Sequence, residues 1–143
     1  MEVRDKLYIG GSWVSSSGTG TLDVVNSATE EVIGTIPEGT PEDVDRAARA
    51  AADAFPTWSA TSRDERSKIL ERVQEGLTAR TAEIATLISQ EVGMPFTLSN
   101  LIQVGLPVMS FSTAAALAAE FAFEEESGNS LIVREPAGTE LPT

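Results

Sequence analysis

The sequence contains no cysteine and no histidine, and these two absences exclude most kinds of catalytic site. Without cysteine there is no disulfide, no thiolate nucleophile and no thiolate-bound zinc. Without histidine, Ser-His-Asp and Cys-His systems lack their base of near-neutral pKa, and imidazole-bound zinc is excluded as well. No catalytic residue and no metal-binding residue is therefore predicted in this chain.

Positive charge is also scarce. Ten Lys and Arg residues stand against 22 Asp and Glu residues, which gives a formal net charge of -12. Nucleic acids and anionic membranes are bound by clustered Lys and Arg, so neither is an expected partner. The length of 143 residues and the hydrophobic content of 41% are typical of one globular domain, which we predict over residues 1–143.

One long stretch, residues 96–119, carries no charged side chain and is long enough to span a bilayer. It includes Ser99, Asn100 and Gln103 and has no Lys or Arg flank nearby, which favours a buried helix of a larger protein. The charged residues 1–6 are not followed by an apolar segment, so no secretory signal is predicted and the cytoplasm is the expected location.

The first 39 residues predict short strands. Residues 8–14 read as a hairpin around Gly10-Gly11, because this dipeptide suits a two-residue turn. A second pair of strands is predicted at 22–25 and 31–36, joined through the turn that begins at Asn26.

Helices follow. Thr40-Pro41-Glu42-Asp43 is a capping box with proline at the first helical position, and we expect Pro56 to end this helix. Ser62 and Glu65 form a second capping box, which opens a helical stretch to about Val92.

This second stretch should be two helices, with the break between Gly76 and Thr81, and Gly93 is a normal stop signal. A further helix is predicted over residues 107–121, and Leu131-Ile132-Val133 is predicted as a final short strand.

Few groups remain that could hold a ligand. Gly18-Thr19-Gly20 has Asp23 where a dinucleotide-binding motif needs its third glycine, so no cofactor-binding residue is predicted. Glu124-Glu125-Glu126 could bind calcium or act as paired carboxylates, but a solvated connection between helix and strand is the favoured interpretation. Trp13 and Trp58 could stack a ligand, although anchoring a core is favoured for both.

The order of these segments resembles the N-terminal portion of the NAD(P)-dependent aldehyde dehydrogenase family. Matching segments occur along the chain up to Gly138, in the same order: residues 8–14, 26–34, 43–48, 54–59, 66–70, 91–95 and 134–138. Ser27 and Glu30 stand where the family often has proline and glycine, which should relax this turn without changing the topology. Residues 139–143 depart from the family pattern and are interpreted as an atypical tail, from read-through in another frame or an artificial boundary.

The resemblance implies an α/β family fragment, with N-terminal β-hairpins, about three to four packed α-helices and a short final strand. It implies a parent activity that oxidises an aldehyde to a carboxylic acid with NAD or NADP. That activity needs a cysteine thiolate, a glutamate and an asparagine, and no residue of this chain matches any of them. No cofactor is therefore expected for this chain alone.

We expect an N-terminal piece of such an enzyme, inactive by itself. The alternative is a stand-alone, non-catalytic helical module that associates with itself or with a full-length relative. A small calcium-binding or membrane-associated protein is a more distant alternative. Because helices without their packing partner expose apolar faces, a homo-oligomer is predicted, with Leu131-Ile132-Val133 as one possible exposed edge.

Overall fold

The computed structural model describes residues 2–138; the predicted atypical tail at 139–143 lies outside the described residues. The strands are β1 (Glu2–Val3), β2 (Leu7–Ile9), β3 (Ser12–Val14), β4 (Thr21–Val25), β5 (Val32–Pro37), β6 (Glu124–Ser127) and β7 (Ser130–Val133). The helices are α1 (Pro41–Ser59), α2 (Arg63–Ala79), α3 (Thr81–Val92), α4 (Phe96–Leu98) and α5 (Gly105–Glu120), and a π-helical segment, Ser99–Val104, joins the last two. The predicted fold class is confirmed.

The N-terminal strands form two small sheets. Strands β2 and β3 pair antiparallel around Gly10 and Gly11, whose φ angles of 59° and 80° are those of the expected two-residue turn. Strands β4 and β5 pair antiparallel as predicted. Strand β1 joins β5 in parallel, a pairing that the sequence did not predict because two residues are too few for a pattern.

Helix α1 begins as predicted but ends later. Thr40 is its N-cap: the Thr40 hydroxyl accepts from the N–H of Asp43 at 3.2 Å, and the Asp43 carboxylate accepts from the N–H of Thr40 at 3.0 Å. The expected stop at Pro56 is wrong, since the helix continues to Ser59. Proline removes one donor in the last turn, but its own carbonyl still accepts from the N–H of Ala60, so the turn closes.

Helices α2 and α3 are separated at Arg80 alone, so the break falls inside the predicted interval while Gly76 lies within α2. The second capping box is present at Ser62 and Glu65. Gly93 ends α3 with a φ of 74°, the left-handed conformation that a glycine adopts at low cost. The Ser27 N–H donates to the carbonyl of Gln90 at 2.9 Å, so the turn between β4 and β5 rests on the end of α3.

The helical run after α3 is longer than predicted. It starts at Phe96 instead of Pro107, because the π-helical segment carries the chain from α4 into α5 without interruption. A π-helix spaces its hydrogen bonds five residues apart, which the 3.6-residue pattern of an α-helix cannot anticipate. Pro107 is the third residue of α5, close behind the π-helical segment.

The last two strands of the described residues form a hairpin. The predicted final strand is confirmed as β7, but it pairs with β6, which occupies the position where Glu124–Glu126 was expected to be a loop. Three consecutive glutamates tolerate the extended conformation because every side chain of β6 is exposed to solvent. The expected solvation is therefore correct and the expected loop is wrong.

The core is small. The buried hydrophobic residues are Ala85, Val104 and Ala115, and the Ser67 hydroxyl of α2 donates to the carbonyl of Ala115 in α5 at 2.9 Å. The accessible surface is 10333 Å², whereas a compact protein of this mass exposes about 7,100 Å². By the same scaling the fold buries about 53% of the unfolded surface, against about 68% for a compact domain of this length. Large apolar side chains exposed on the helices include Leu101, Met109 and Leu117.

Candidate functional site

The Asp43 carboxylate, at the start of α1, accepts hydrogen bonds from several groups. Asp43 is 3% exposed. One oxygen accepts from the Ser16 hydroxyl at 2.6 Å and from the N–H and hydroxyl of Thr40, both at 3.0 Å. The other accepts from the N–H of Ser17 at 3.0 Å and from the Arg46 guanidinium. The carboxylate thus joins the loop between β3 and β4 to the first turn of α1.

These bonds explain the acidity of the Asp43 carboxyl. The Ser16 hydroxyl bond is the largest influence that lowers its pKa, far below the ordinary value. Burial acts in the opposite direction, and the N–H groups of Thr40 and Ser17 together with Arg46 reinforce the lowering. Because each oxygen already accepts from at least two donors, the carboxylate has no capacity left to take a proton from a substrate. Asp43 is therefore a structural group.

A cleft of about 330 Å³ lies between the start of α2 and the end of β7. Its lining includes three arginine side chains, those of Arg63, Arg66 and Arg134. Arg66 lies 5.5 Å from the ring centre of Trp58 and donates to the Ser59 carbonyl at 2.9 Å. Arg66 therefore holds the end of α1 against α2.

The other groups of this cleft are also engaged in the fold. Arg134 donates to the carbonyl of Ala122 and to the carboxylate of Glu125, both at 3.0 Å, and Glu135 adds a negative charge to the lining. The cleft can offer positive charge to a carboxylate, and its two hydroxyl groups, those of Ser59 and Thr61, donate to the carbonyls of Pro56 and Thr57. No histidine is available to activate either hydroxyl as a nucleophile.

The acidic run Glu124–Glu126 does not form a ligand cluster in the structure. Its residues lie on β6, where successive side chains point to opposite faces, and Glu125 is paired with Arg134. Within residues 2–138 there is no group of three or more acidic side chains placed to hold a metal ion. The absence of a metal site stays a prediction.

The two tryptophans are exposed, so the expectation that they anchor a core is wrong for this chain. Trp13 is 60% exposed on β3 and meets Tyr8 edge-on at 5.1 Å between ring centres. Trp58 is 49% exposed near the end of α1, beneath Arg66. Neither ring lies in an enclosed cavity that could bind a ligand between aromatic faces.

A second cleft, of about 260 Å³, lies between the β1-β5-β4 sheet and α3. Its lining includes apolar side chains from both sides, such as Val24, Ile33 and Leu87, and the polar residues Arg4 and Glu91. It is a shallow gap in the packing between the sheet and the helix, and it lacks the convergent polar groups of a substrate site.

The short glycine pair does not fit a dinucleotide. Gly18 and Gly20 lie in the loop between β3 and β4, with no helix following them directly. A Cβ on Gly18 would come within 2.8 Å of the Thr40 side chain, and one on Gly20 within 2.2 Å of the Glu38 carboxylate. These glycines make room for side chains of the same chain, and the neighbouring carboxylate would repel a phosphate. The loop that contains Gly18 and Gly20 is thus not a phosphate-binding loop, and the absence of cofactor-binding residues from the chain stays a prediction.

Comparisons with known proteins establish the family. The profile of the aldehyde dehydrogenase family matches residues 13–141. The chain belongs to the aldehyde dehydrogenase family. It is 42% identical over 139 residues to a 3-succinoylsemialdehyde-pyridine dehydrogenase from a Pseudomonas species, covering 93% of this chain and 28% of that protein. It is 36% identical to a putative aldehyde dehydrogenase of Staphylococcus aureus, with the same coverage.

Solved structures agree. Aldehyde dehydrogenase C from Pseudomonas syringae, in a complex with NAD+ and octanal, superposes with a TM-score of 0.89 at 37% identity, over 92% of this chain and 27% of that one. An aldehyde dehydrogenase from Bartonella henselae superposes with a TM-score of 0.85 at 33% identity, over 90% and 28% of the two chains. The chain therefore spans about 28% of the length of the curated relatives it matches, and it corresponds to their N-terminal portion.

Two features of the structure were missed by sequence reasoning. The arginine cleft was not predicted because Arg63, Arg66 and Arg134 are brought together by the packing of a distant hairpin on α2. The π-helical segment Ser99–Val104 was not predicted either, and only the absence of charge from 96 to 119 gave a signal there.

Proposed function

We propose that this chain is the N-terminal structural part of an NAD- or NADP-dependent enzyme that oxidises an aldehyde to a carboxylic acid, and that it has no catalytic activity alone. The observation that carries the proposal is the family membership over residues 13–141 combined with the lack of any cysteine in the chain. Relatives that bind NAD support the cofactor of the parent enzyme. Thiolate addition to an aldehyde needs a residue that this chain does not have.

The chain has a structural role in that enzyme. Its helices form a platform whose polar connections, such as those of Asp43 and Arg66, fix the loops and helix ends. No residue of the chain is assigned to the aldehyde, to the nicotinamide or to a proton transfer. The aldehyde that the parent enzyme oxidises would be selected by other parts of that enzyme.

The test is an assay of the purified chain with NAD, with NADP and with a panel of short and long aldehydes, followed by the absorbance of the reduced cofactor. We expect no reduced cofactor above the rate of a sample without protein. The positive control is a full-length relative in the same buffer. Reduction of NAD or NADP by the chain alone would refute the proposed lack of activity.

A second candidate function is supported by the large exposed apolar surface: a stand-alone, non-catalytic module that associates with itself or with a full-length relative. In that case the exposed residues Leu131, Ile132 and Val133 are one edge available for association. Light scattering distinguishes this candidate. A stable monomer that binds no apolar dye would exclude it, whereas a defined homo-oligomer would support it.

Neither candidate assigns a nucleic-acid or membrane partner, and the cytoplasm remains the predicted location. The helical run Phe96–Glu120 is long and apolar enough to cross a bilayer by composition. The family assignment favours a role for this run inside a larger folded protein.

A further inference from the structure

The cleft lined by Arg63, Arg66 and Arg134, which we call the arginine cleft, is a locally positive site in an acidic chain. Among the described residues that line it, Glu135 is the one acidic group, whereas the whole chain has a net charge of -12. Its volume of about 330 Å³ lies near the lower end of the range for clefts that bind small ligands. The arginine cleft therefore has the size and the local charge to hold a small anion.

Arg63 is the arginine of this cleft whose donors are unused. Its side chain is 53% exposed, and the distance from its Nε to the carboxylate of Asp64 is 3.7 Å, which is too long for a hydrogen bond. Within residues 2–138 the Arg63 side chain makes no hydrogen bond. A guanidinium can donate two parallel N–H bonds to one carboxylate. Arg63 can therefore bind an external carboxylate without breaking a hydrogen bond of the fold.

The other two arginines are held in place by the fold. Arg66 uses Nη2 for its bonds to the carbonyls of Trp58 and Ser59, while its Nη1 makes no hydrogen bond in the described part of the chain. Arg134 is bound through both of its terminal nitrogens, and one of them pairs with Glu125. Positions three residues apart on a helix are neighbours on its surface. Arg63 and Arg66 are thus the pair of charges available to an anion in the cleft.

The lining also has an apolar part. Phe123 and Pro136 belong to it, and the Phe123 side chain is 38% exposed. The Arg66 guanidinium lies 5.9 Å from the centre of the Phe123 ring. A ligand with an anionic group and an aromatic ring can place the first on the two arginines and the second on Phe123. The lining therefore favours an aromatic carboxylate over an inorganic anion.

Glu135 disfavours anions of higher charge. A carboxylate has one negative charge, whereas a phosphate monoester has about 1.5 to 2 at neutral pH. Because electrostatic repulsion grows with the product of the charges, Glu135 and the acidic remainder of the chain repel a phosphate more strongly. Nucleotides are disfavoured for the same reason.

We propose that the arginine cleft is a binding site for a small aromatic carboxylate, held by Arg63 and Arg66 with its ring against Phe123. All residues of the site belong to this chain, so the inference goes beyond the proposed function and does not depend on it. A small ligand held by few contacts should bind in the millimolar range.

The probe is para-fluorobenzoate, whose single fluorine signal reports binding to the chain by nuclear magnetic resonance. The uncharged analogue para-fluorobenzamide has the same shape, and inorganic phosphate has charge without a ring. The parent chain is compared with Arg63→Ala, with Glu135→Gln and with the matched control Arg49→Ala. Arg49 is a suitable control because it is also exposed and also lies 3.7 Å from the carboxylate of an aspartate close in the sequence. The ionic strength is held constant, since salt screens exposed charges.

We expect Arg63→Ala to weaken the binding of para-fluorobenzoate about fivefold or more, because hydrogen bonds between charged groups are lost. Arg49→Ala should change the affinity less than about twofold, and Glu135→Gln should increase it about twofold or more because it removes a like charge. Equal affinities in Arg63→Ala and Arg49→Ala overturn the proposal, as does a failure of the parent chain to bind the probe. An unchanged or lower affinity in Glu135→Gln also overturns it.

The analogues test the chemistry of the ligand. Equal binding of para-fluorobenzamide and para-fluorobenzoate overturns the proposal in favour of an unspecific apolar contact. Binding of phosphate as tight as that of para-fluorobenzoate overturns it in favour of a site for any anion.

A second measurement uses the parent chain alone and so does not depend on the folding of a variant. Phenylglyoxal modifies accessible guanidinium groups, and mass spectrometry of the peptides gives the rate at each arginine. We expect para-fluorobenzoate to slow the modification of Arg63 about threefold or more, while Arg49 in the same molecules is unaffected. Equal protection of Arg63 and Arg49, or protection of neither, overturns the proposal.

Discussion

Val104 and Leu101 lie three residues apart in the π-helical segment, and they should respond oppositely to truncation. Val104 is 1% exposed, whereas Leu101 is 71% exposed. Val104→Ala removes two buried carbon atoms, worth about 0.8 kcal/mol each, and leaves a cavity, so we expect a loss of about 2 kcal/mol in the free energy of unfolding. Leu101→Ala removes three carbon atoms that are mostly in water already, and we expect a change below about 0.5 kcal/mol.

The measurement is urea unfolding of the isolated chain followed by far-ultraviolet circular dichroism, with the midpoints of both variants compared at a common slope. A loss of about 2 kcal/mol is severe here, since the fold buries a smaller share of its surface than is usual for its length. Equal losses in the two variants, or a larger loss for Leu101→Ala, would refute the orientation of the π-helical segment, in which Val104 is covered and Leu101 is exposed.

Three further changes test other parts of the fold. Gly93→Ala should destabilise the chain by about 1–2 kcal/mol, because Gly93 has a φ of 74° and the new Cβ would approach the Cβ of Ser27 to 3.3 Å. Thermal unfolding measures this change, and an unchanged midpoint would contradict it. Glu30→Gly should stabilise by up to about 1 kcal/mol, because Glu30 has a φ of 60°, and a lower midpoint would argue against that strain. Hydrogen bonds, led by that from Ser16, lower the pKa of Asp43, so its contribution to stability is complete above its ordinary pKa of about 4 and is lost as the pH falls below it. Asp43→Asn should therefore reduce the loss of stability at acid pH. An equally steep loss in Asp43→Asn and in the parent chain would contradict the assignment of this loss to Asp43.

Local signals predicted the starts of α1 and α2 and the end of α3 well. The capping boxes at Thr40 and Ser62 and the stop at Gly93 each depend on interactions within a few residues, and all three are present. The hairpin at Gly10 and Gly11 is also a local feature, which explains why its turn was predicted correctly.

Features that depend on distant contacts were not predicted. The strand at Glu124–Glu126 forms because β7 provides a partner, and strand propensity alone argues against three glutamates. The continuation of α1 past Pro56 depends on the carbonyl of proline accepting from Ala60. The π-helical segment lacks a sequence pattern of its own.

The tryptophans illustrate a different limit. Trp13 and Trp58 were expected in a core because large aromatic side chains are usually covered, yet both are about half exposed or more. Whether a side chain is buried depends on all the chain segments that pack around it. The sequence of one portion of a family member carries residues selected for that assembly, so prediction of burial from this portion overestimates its core.

For the candidate site, sequence reasoning predicted from residue inventory that the chain carries no catalytic nucleophile. That prediction rests on the residue inventory, because thiolate and imidazole chemistry require residue types that are absent altogether. What the sequence did not reveal is which side of the run Phe96–Glu120 is covered within the chain. The structure shows that α2 covers the side of this run that carries Ala115, because the Ser67 hydroxyl of α2 donates to the Ala115 carbonyl.

The most direct test of the account is the activity of the chimaera in which residues 1–138 replace the matching part of the Pseudomonas syringae aldehyde dehydrogenase. If this chain is a structural part of such an enzyme, the chimaera should fold and reduce NAD with octanal, while the isolated chain reduces none. A folded chimaera without activity would contradict the account, because the chain would then fail to serve as the N-terminal part of an aldehyde dehydrogenase.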